Sequence, residues 1–295
     1  MYNFMPEGYN SATSTNKEYL SSLQGLEYAM SNGIILEARA TMCDNDFNLR
    51  IDIPGYNAII PYEEVALTPD DTPCKEIAAI TRVGKSVCFV IDRINGSSLL
   101  LSRRKAQKKC VEQYLSHLNI GDVIDAKVTH FENFGAFCDI GCGIASLLSI
   151  DCISVSRISH PRDRFRIGQH IKVAVRSAEQ NGNLIKIALT HKELLGTWRE
   201  NIARFQVGQT VAGIVRSVES YGIFIELAPN LSGLSELKDG VECGQTAAVY
   251  IKSIIEEKMK VKLVVVDFHS NDGFTSVNYD YFITAGNING WDYYA

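Results

Sequence analysis

Phe134-Gly135-Ala136-Phe137 returns 87 residues further on as Tyr221-Gly222-Ile223-Phe224, both times in strand-like surroundings. A period this long is that of a whole domain rather than of a solenoid turn. Around the first copy, Val123 to Phe131, Gly135 to Ile140, Ala145 to Leu148, His170 to Ala178 and Leu184 to Thr190 alternate or run apolar, separated by Gly, Asn, Asp and Pro clusters. Asn181-Gly182 suits a tight hairpin between the last two. Five short strands over about 70 residues predict a small closed barrel of the OB type. Around the second copy the order recurs, in Thr210 to Ser217, Ile223 to Leu227, Gly233 to Ser235, Ala247 to Ile254 and Met259 to Val266. Two aromatics around a glycine in such strands are what a stacking platform for unpaired bases requires.

Outward from these copies, Gly33, Gly121 and Gly208 each precede a strand-rich block, at separations of 88 and 87 residues. The expected chain is therefore all-β: three tandem five-stranded OB-fold barrels at residues 33–102, 121–191 and 208–267. Short helical linkers occupy 103–120 and 192–207, a tail with an amphipathic helix fills 1–32, and an aromatic tail covers 268–295. In the first of these segments Thr15 and Glu18 have capping-box spacing. Tyr19, Leu23, Leu26 and Met30 then share one helical face, and Asn32-Gly33 supplies a left-handed stop. Val111, Tyr114, Leu115 and Leu118 have helical spacing in the first linker. Thr190 and Glu193, followed by Leu194, Trp198, Ile202 and Phe205, do so in the second.

A chain of 295 residues with 46% hydrophobic content can bury more than one core. With 29 Lys and Arg against 34 Asp and Glu, its charge of −5 argues against coating duplex nucleic acid by bulk electrostatics, so any nucleic-acid site must be local. Met1 to Asn10 lack a basic cluster followed by an apolar stretch, and no segment approaches the ~20 apolar residues that span a bilayer; the expectation is a soluble, unexported protein with no membrane partner. The eight cysteines include no Cys-x-x-Cys pair and read as reduced thiols. The six histidines have no metal-ligand spacing, and there is neither a phosphate loop nor a Gly-x-Ser-x-Gly elbow. No enzyme, cofactor or metal is expected.

The residues resemble the RNA-binding domain of the bacterial ribosomal protein S1 family, an OB-fold variant that occurs in tandem. Block two carries the resemblance through Gly121-Asp122, Phe134-Gly135-Ala136-Phe137, Ile158-Ser159-His160-Pro161, Ile167-Gly168-Gln169 and Ala188-Leu189-Thr190-His191-Lys192 with Leu195-Gly196-Thr197-Trp198. Block one resembles the amino-terminal domain of the ribosomal protein, through Ala58-Ile59-Ile60-Pro61-Tyr62-Glu63-Glu64 and Leu101-Ser102-Arg103-Arg104. In the family that domain serves mainly for attachment to the ribosome.

The resemblance implies stacking roles for Phe134 and Phe137 in block two and for Tyr221 and Phe224 in block three. Each stacked base is worth about 1–3 kcal/mol whatever its identity. Rings in strands also build cores; recurrence in register favours the site. Gly135 and Gly222 read as bends in the barrel wall. A family histidine that touches RNA falls on Ser149 and on Glu236, and the carboxylate of Glu236 beside phosphate suggests weaker RNA affinity in block three. The family's basic residue after the last hairpin matches Lys186 and Lys260 but Ser98 in block one.

Charge ranks the blocks in the same way. Residues 33–102 hold six Lys and Arg against ten Asp and Glu, residues 121–191 eight against seven, and residues 206–267 six against eight. The connector of block two adds Arg157, His160, Arg162, Arg164 and Arg166, a spacing able to present several guanidinium groups to a single strand. A solvated loop balancing nearby carboxylates is the alternative. The run from Arg103 to Lys109 either grips ribosomal RNA or forms the wet face of the linker helix. Block three is short, Leu237 reaching Gly244 where block two spends Ile150 to Gly168, and lacks a basic connector. The tail, with Phe268, Phe274, Tyr279, Tyr281, Phe282, Trp291, Tyr293 and Tyr294 but no Lys or Arg, is expected to pack onto block three.

The expected function is single-stranded RNA binding by a short S1 homologue that holds messenger RNA at the small ribosomal subunit, in the cytoplasm. The N-terminal helix and block one would dock on small-subunit proteins. An RNA-decay or regulatory factor, and a protein-interaction module that has lost RNA affinity, remain open alternatives.

Overall fold

The computed structural model describes residues 4–270 and 279–294; Phe274 lies outside them. The chain begins with two helices, α1 (Ser14–Leu20) and α2 (Leu23–Asn32), where one was expected. The break lies at Ser21-Ser22, because a serine hydroxyl serves better as a cap than inside a helix: the Ser22 side chain accepts from Gly25 N–H and starts α2. The cap of α1 is Thr13, which accepts from Asn16 N–H, two residues before the expected box. Gly33, at φ 58°, ends α2 in the left-handed conformation as its sequence indicates. Leu26 and Ala29 of α2 are fully buried against barrel one; for the leucine alone this stabilises by about 1.5–3 kcal/mol.

Barrel one comprises β1 (Leu36–Cys43), β2 (Leu49–Ile51), β3 (Asn57–Ile60), β4 (Ser86–Asn95) and β5 (Ser98–Ser102), with the short α3 (Glu76–Ile80) between β3 and β4. After α4 (Arg103–Gln113) come β6 (Val123–Glu132), β7 (Gly135–Asp139), β8 (Ala145–Ser149), β9 (His170–Asn181) and β10 (Leu184–Thr190) of barrel two. The helix α5 (Trp198–Ile202) leads to β11 (Thr210–Glu219), β12 (Gly222–Ala228), β13 (Leu231–Ser235), β14 (Thr246–Ile255) and β15 (Lys260–His269) of barrel three. All three close in one order: first, second, third, fifth and fourth strand, the last returning to the first. The third and fifth strands pair in parallel, as in Ala58 with Leu99, Leu147 with Ala188 and Leu234 with Lys262.

Each first strand carries an irregularity at the same place, between Ala40 and Met42, Val128 and His130, and Val215 and Ser217. Such a bulge bends the strand so that its first half pairs with the fourth strand and its second half with the second, which closes the barrel. The motif glycines have a related reason, the close passage of the neighbouring strand. A Cβ on Gly135 would lie 2.5 Å from the Leu148 carbonyl oxygen, and one on Gly222 2.6 Å from that of Ser235, so the neighbouring strand can pass only if the residue is glycine.

The barrels are not separate beads. Cys110 and Val111 of α4 and the following Leu115 enter the core of barrel two together with Cys88 and Val90 of barrel one. Glu7 closes the same junction. Its carboxylate accepts from Arg103 at 2.6 Å and from Cys88 N–H at 3.1 Å, while its own N–H donates to Asp139 at 2.7 Å. Burial works against the Glu7 charge, but Arg103 and Arg82 hold its pKa below the ordinary value. Asp139, buried and facing that charge, is pushed up to about 7.

Barrels two and three are joined by the connector of barrel two. Ser156 N–H donates to the Pro229 carbonyl at 3.1 Å, and Arg164 pairs with Glu226 at 2.5 Å in full burial. The tail departs from expectation, since it straps barrel two as well as barrel three. Tyr279 donates to the Arg164 carbonyl, Asn287 side-chain N–H to Asp122, and Ile288 N–H to the Gly121 carbonyl. Tyr293 then donates to the Asn230 carbonyl on barrel three. The aromatic tail is thus held by the hydrogen bonds of its tyrosines, which composition alone does not assign to one barrel.

Candidate nucleic-acid interface

On β7 the side chains of Ala136, Cys138 and Asp139 are buried, while Phe137 is half exposed. Phe134, in the turn before it, is 54% exposed. The two rings meet edge to face, 6.3 Å apart at 84°. Both therefore lie on the outside of the barrel, with a polar neighbour that sequence reading missed. The bulge after Val128 brings His130 into register with Phe137, and its ring lies 6.4 Å from that ring at 28°. His130 also meets Glu132 at 2.9 Å. The signal was available only through the bulge, because strict alternation along β6 does not show which residues face Phe137.

Ser149 pairs with Gly135 across β7 and β8, next to Phe134, and its hydroxyl donates to Asp151. His160 is half buried, accepts from Arg162 N–H at 3.0 Å and touches Phe131 edge to face at 6.0 Å. Phe131 is the register partner of the buried Ala136 and packs against the barrel-two core, so His160 covers that edge of the core rather than meeting the Phe137 ring. Arg162 is exposed beside it. Lys186 is exposed on β10, two residues from Ala188, whose partner Leu147 is in turn the partner of Phe137.

Arg164 is a correction. It was grouped with the connector cations that could meet a strand, but only 1% of it is exposed, and it is held by Ser154 and Glu226. A guanidinium enclosed in this way between two barrels cannot touch RNA. The run in α4 divides: Arg103 is buried, while Lys105 and Lys108 stand on the wet face of the helix, each beside a carboxylate. Arg103 pairs with Glu7, Arg104 with Asp71 at 2.5 Å and Lys105 with Asp92; Lys108 meets Glu112 at 4.0 Å and Lys109 donates to the Gly33 carbonyl. Only Arg104 and Lys105 meet acidic residues of barrel one; the partners of the others are Glu7, Glu112 on α4 itself and the Gly33 carbonyl.

Barrel three repeats the aromatic arrangement. Tyr221 is 68% exposed, Phe224 is half exposed on β12, and their rings meet at 6.0 Å and 87°. In the place of His130 stands Ser217, the register partner of Phe224. Lys260 is exposed at the start of β15; Lys262, which sequence reading passed over, is exposed level with Phe224 through Leu234. Glu236 is exposed just after β13.

Among the described residues no cluster of His, Cys, Asp and Glu could hold a metal ion, and no helix is long and apolar enough to cross a membrane.

Residues 117–189 match the family model of the S1 RNA binding domain. The chain is 30% identical over 200 residues to small ribosomal subunit protein bS1 of Staphylococcus aureus, covering 62% of this chain and 50% of that one. It is 32% identical over 201 residues to the bS1 homolog of Bacillus subtilis, covering 64% and 50%. The chain thus spans about half the length of these relatives. A solved multidomain protein with nucleic acid binding domains from Streptococcus pneumoniae aligns over 79% of this chain and 73% of its own, at 14% identity and a TM-score of 0.24, too low to carry an argument. Barrel two lies in the segment that matches the S1 RNA binding domain, and over about 200 residues the chain is similar to the bacterial ribosomal protein bS1.

Proposed function

We propose that this chain binds single-stranded RNA on the outer face of barrel two and keeps messenger RNA beside the small ribosomal subunit during translation, in the cytoplasm. The observation that carries the reading is the outward pair Phe134 and Phe137, with His130 against it, inside the segment that matches the S1 RNA binding domain. Exposed rings offer a π surface to any base, and Arg162 and Lys186 are exposed cations of the same barrel that could meet phosphates. The relatives' name as small-subunit proteins supports the ribosomal half of the proposal.

Barrel one would then be the docking part, together with α1 and α2. Its cationic neighbour α4 is already neutralised within the fold, so the contact it offers is to ribosomal proteins rather than to ribosomal RNA. The chain acts here as a binder and not as a catalyst.

Two measurements separate the halves of the proposal. Titration of a fluorescent single-stranded RNA should give binding that weakens with salt. Sedimentation of the full chain with small subunits should place it in the ribosomal fractions. Binding without co-sedimentation would retain the RNA role and remove the ribosomal one, and co-purification of a nuclease would move it to RNA decay.

A further inference from the structure

The connector of barrel two does something that barrel three cannot do for itself. Residues 155–159 lie along the aromatic face of barrel three and enclose with it a groove of about 650 Å³, a size usual for small-ligand sites. Tyr221 and Phe224 form its π surface, and Tyr293 from the tail lines it with Trp198. Its charged lining is Arg157, Arg216 and Lys258 against one carboxylate, Glu219. Arg216 is engaged by Glu226, whereas no hydrogen bond or ion pair is found for Arg157 or Lys258 among the described residues.

The parts are held in place. Val155 N–H donates to the Asn230 side chain at 3.0 Å, and the hydroxyls of Ser156 and Ser232 meet at 2.8 Å. Asn230 is fully buried, and its own amide donates to the carbonyls of Lys192 and Gly196. Arg157 therefore follows directly on two residues anchored to barrel three, although it belongs to barrel two. Flat aromatic surface beside unpaired cations suits a base with its phosphate, while an acidic or neutral peptide would leave the two rings or the two cations unused.

We propose that this groove seats one nucleotide of a single-stranded RNA, its base against Tyr221 and Phe224 and its phosphate between Arg157 and Lys258. The proposal rests on the RNA-binding reading above and extends it: the third site is composite, and exists only while barrels two and three are docked. Arg157 supplies the charge that the short Leu237 to Gly244 connector of barrel three lacks.

The test is a double-mutant cycle on the full chain with a fluorescent mixed-sequence oligoribonucleotide long enough to reach both faces, at two salt concentrations. Arg157 and Tyr221 are exposed, so Arg157→Gln and Tyr221→Ala leave the fold intact, which thermal unfolding checks. Tyr221→Ala should weaken binding by about fivefold or more. Arg157→Gln should lower the slope of log affinity against log salt by about 0.7, the value for one phosphate contact on a single strand. Because both residues hold the same nucleotide, the fold-loss of the double variant relative to wild type should be smaller than the product of the two single fold-losses. Multiplying effects, or an unchanged affinity in Arg157→Gln, overturns the composite groove. If Phe134→Ala weakens binding while both groove variants bind as wild type, the groove is refuted and the RNA-binding reading stands; if the wild-type chain binds no RNA, both fall.

Discussion

Arg164 and Glu226, 62 residues apart in sequence, meet at 2.5 Å in an interior closed by barrels two and three, and Arg216 approaches the same carboxylate at 2.8 Å. Two guanidinium groups on one buried carboxylate make Glu226 the hinge pin of the two-barrel unit. Removing one partner of a buried ion pair leaves an uncompensated charge and costs about 3–5 kcal/mol. Glu226→Gln should therefore lower the midpoint of chemical denaturation and split one unfolding transition into two. Intrinsic fluorescence of Trp198, at the barrel-three side, followed beside far-ultraviolet circular dichroism, would reveal the split.

The α4 cations Arg104, Lys105 and Lys108 each stand beside a carboxylate of this chain. Neutralising Arg104 and Lys108 together with glutamine should change RNA affinity and its salt slope little, since Asp71 and Glu112 beside them offset their attraction for phosphate. Anisotropy at two salt concentrations measures this, and a loss of slope would show that these side chains do leave their carboxylates for RNA.

His191 is fully buried, with Nδ1 donating to the Ile153 carbonyl at 2.8 Å and Nε2 accepting from the Tyr281 hydroxyl at 3.1 Å. Burial, aided by Arg164, outweighs the Ile153 hydrogen bond and pushes its pKa down to about 4 from 6.5. The unfolded chain thus takes up the proton first as pH falls. The stabilising contribution is complete above pH 6.5 and is lost progressively toward pH 4, by about 3 kcal/mol in all. Asp139, raised to about 7, works in the opposite sense over this window, so the difference between wild type and His191→Gln isolates the histidine. Denaturation at several pH values should show wild type losing stability relative to the variant as pH falls from 6.5 toward 4.

Gly135→Ala places a methyl group 2.5 Å from a backbone oxygen that cannot turn away. Destabilisation by about 1–3 kcal/mol is expected, the usual cost of overpacking, read as a lower melting temperature with RNA affinity lost only where barrel two unfolds.

Much of the fold was legible because its signals are local. Strand alternation, the Asn181-Gly182 hairpin and the 87-residue recurrence place all the strands of barrels two and three to within a few residues of where they lie. The helix break at Ser22 was legible in principle, through a capping serine, but the apolar stripe from Tyr19 to Met30 masks it. What was not legible is pairing over distance. Nothing near Arg164 or Arg103 announces that Glu226 and Glu7 neutralise them, so both cations read as exposed charge. His130 escaped for a related reason, since only the bulge turns it to Phe137. The outward placement of Phe134 and Tyr221 agrees with the sequence reading, because each sits in a turn just ahead of a strand.

The central claim is that Phe134 and Phe137 are a surface on which bases stack. Its most direct measurement is the affinity of the full chain for a fluorescent single-stranded RNA with Phe134→Ala, Phe137→Ala and both, each variant shown to melt cooperatively near the wild-type temperature. The account predicts a loss of about 1–3 kcal/mol for each ring that holds a base, at every salt concentration. Wild-type affinity in the folded double variant would contradict it.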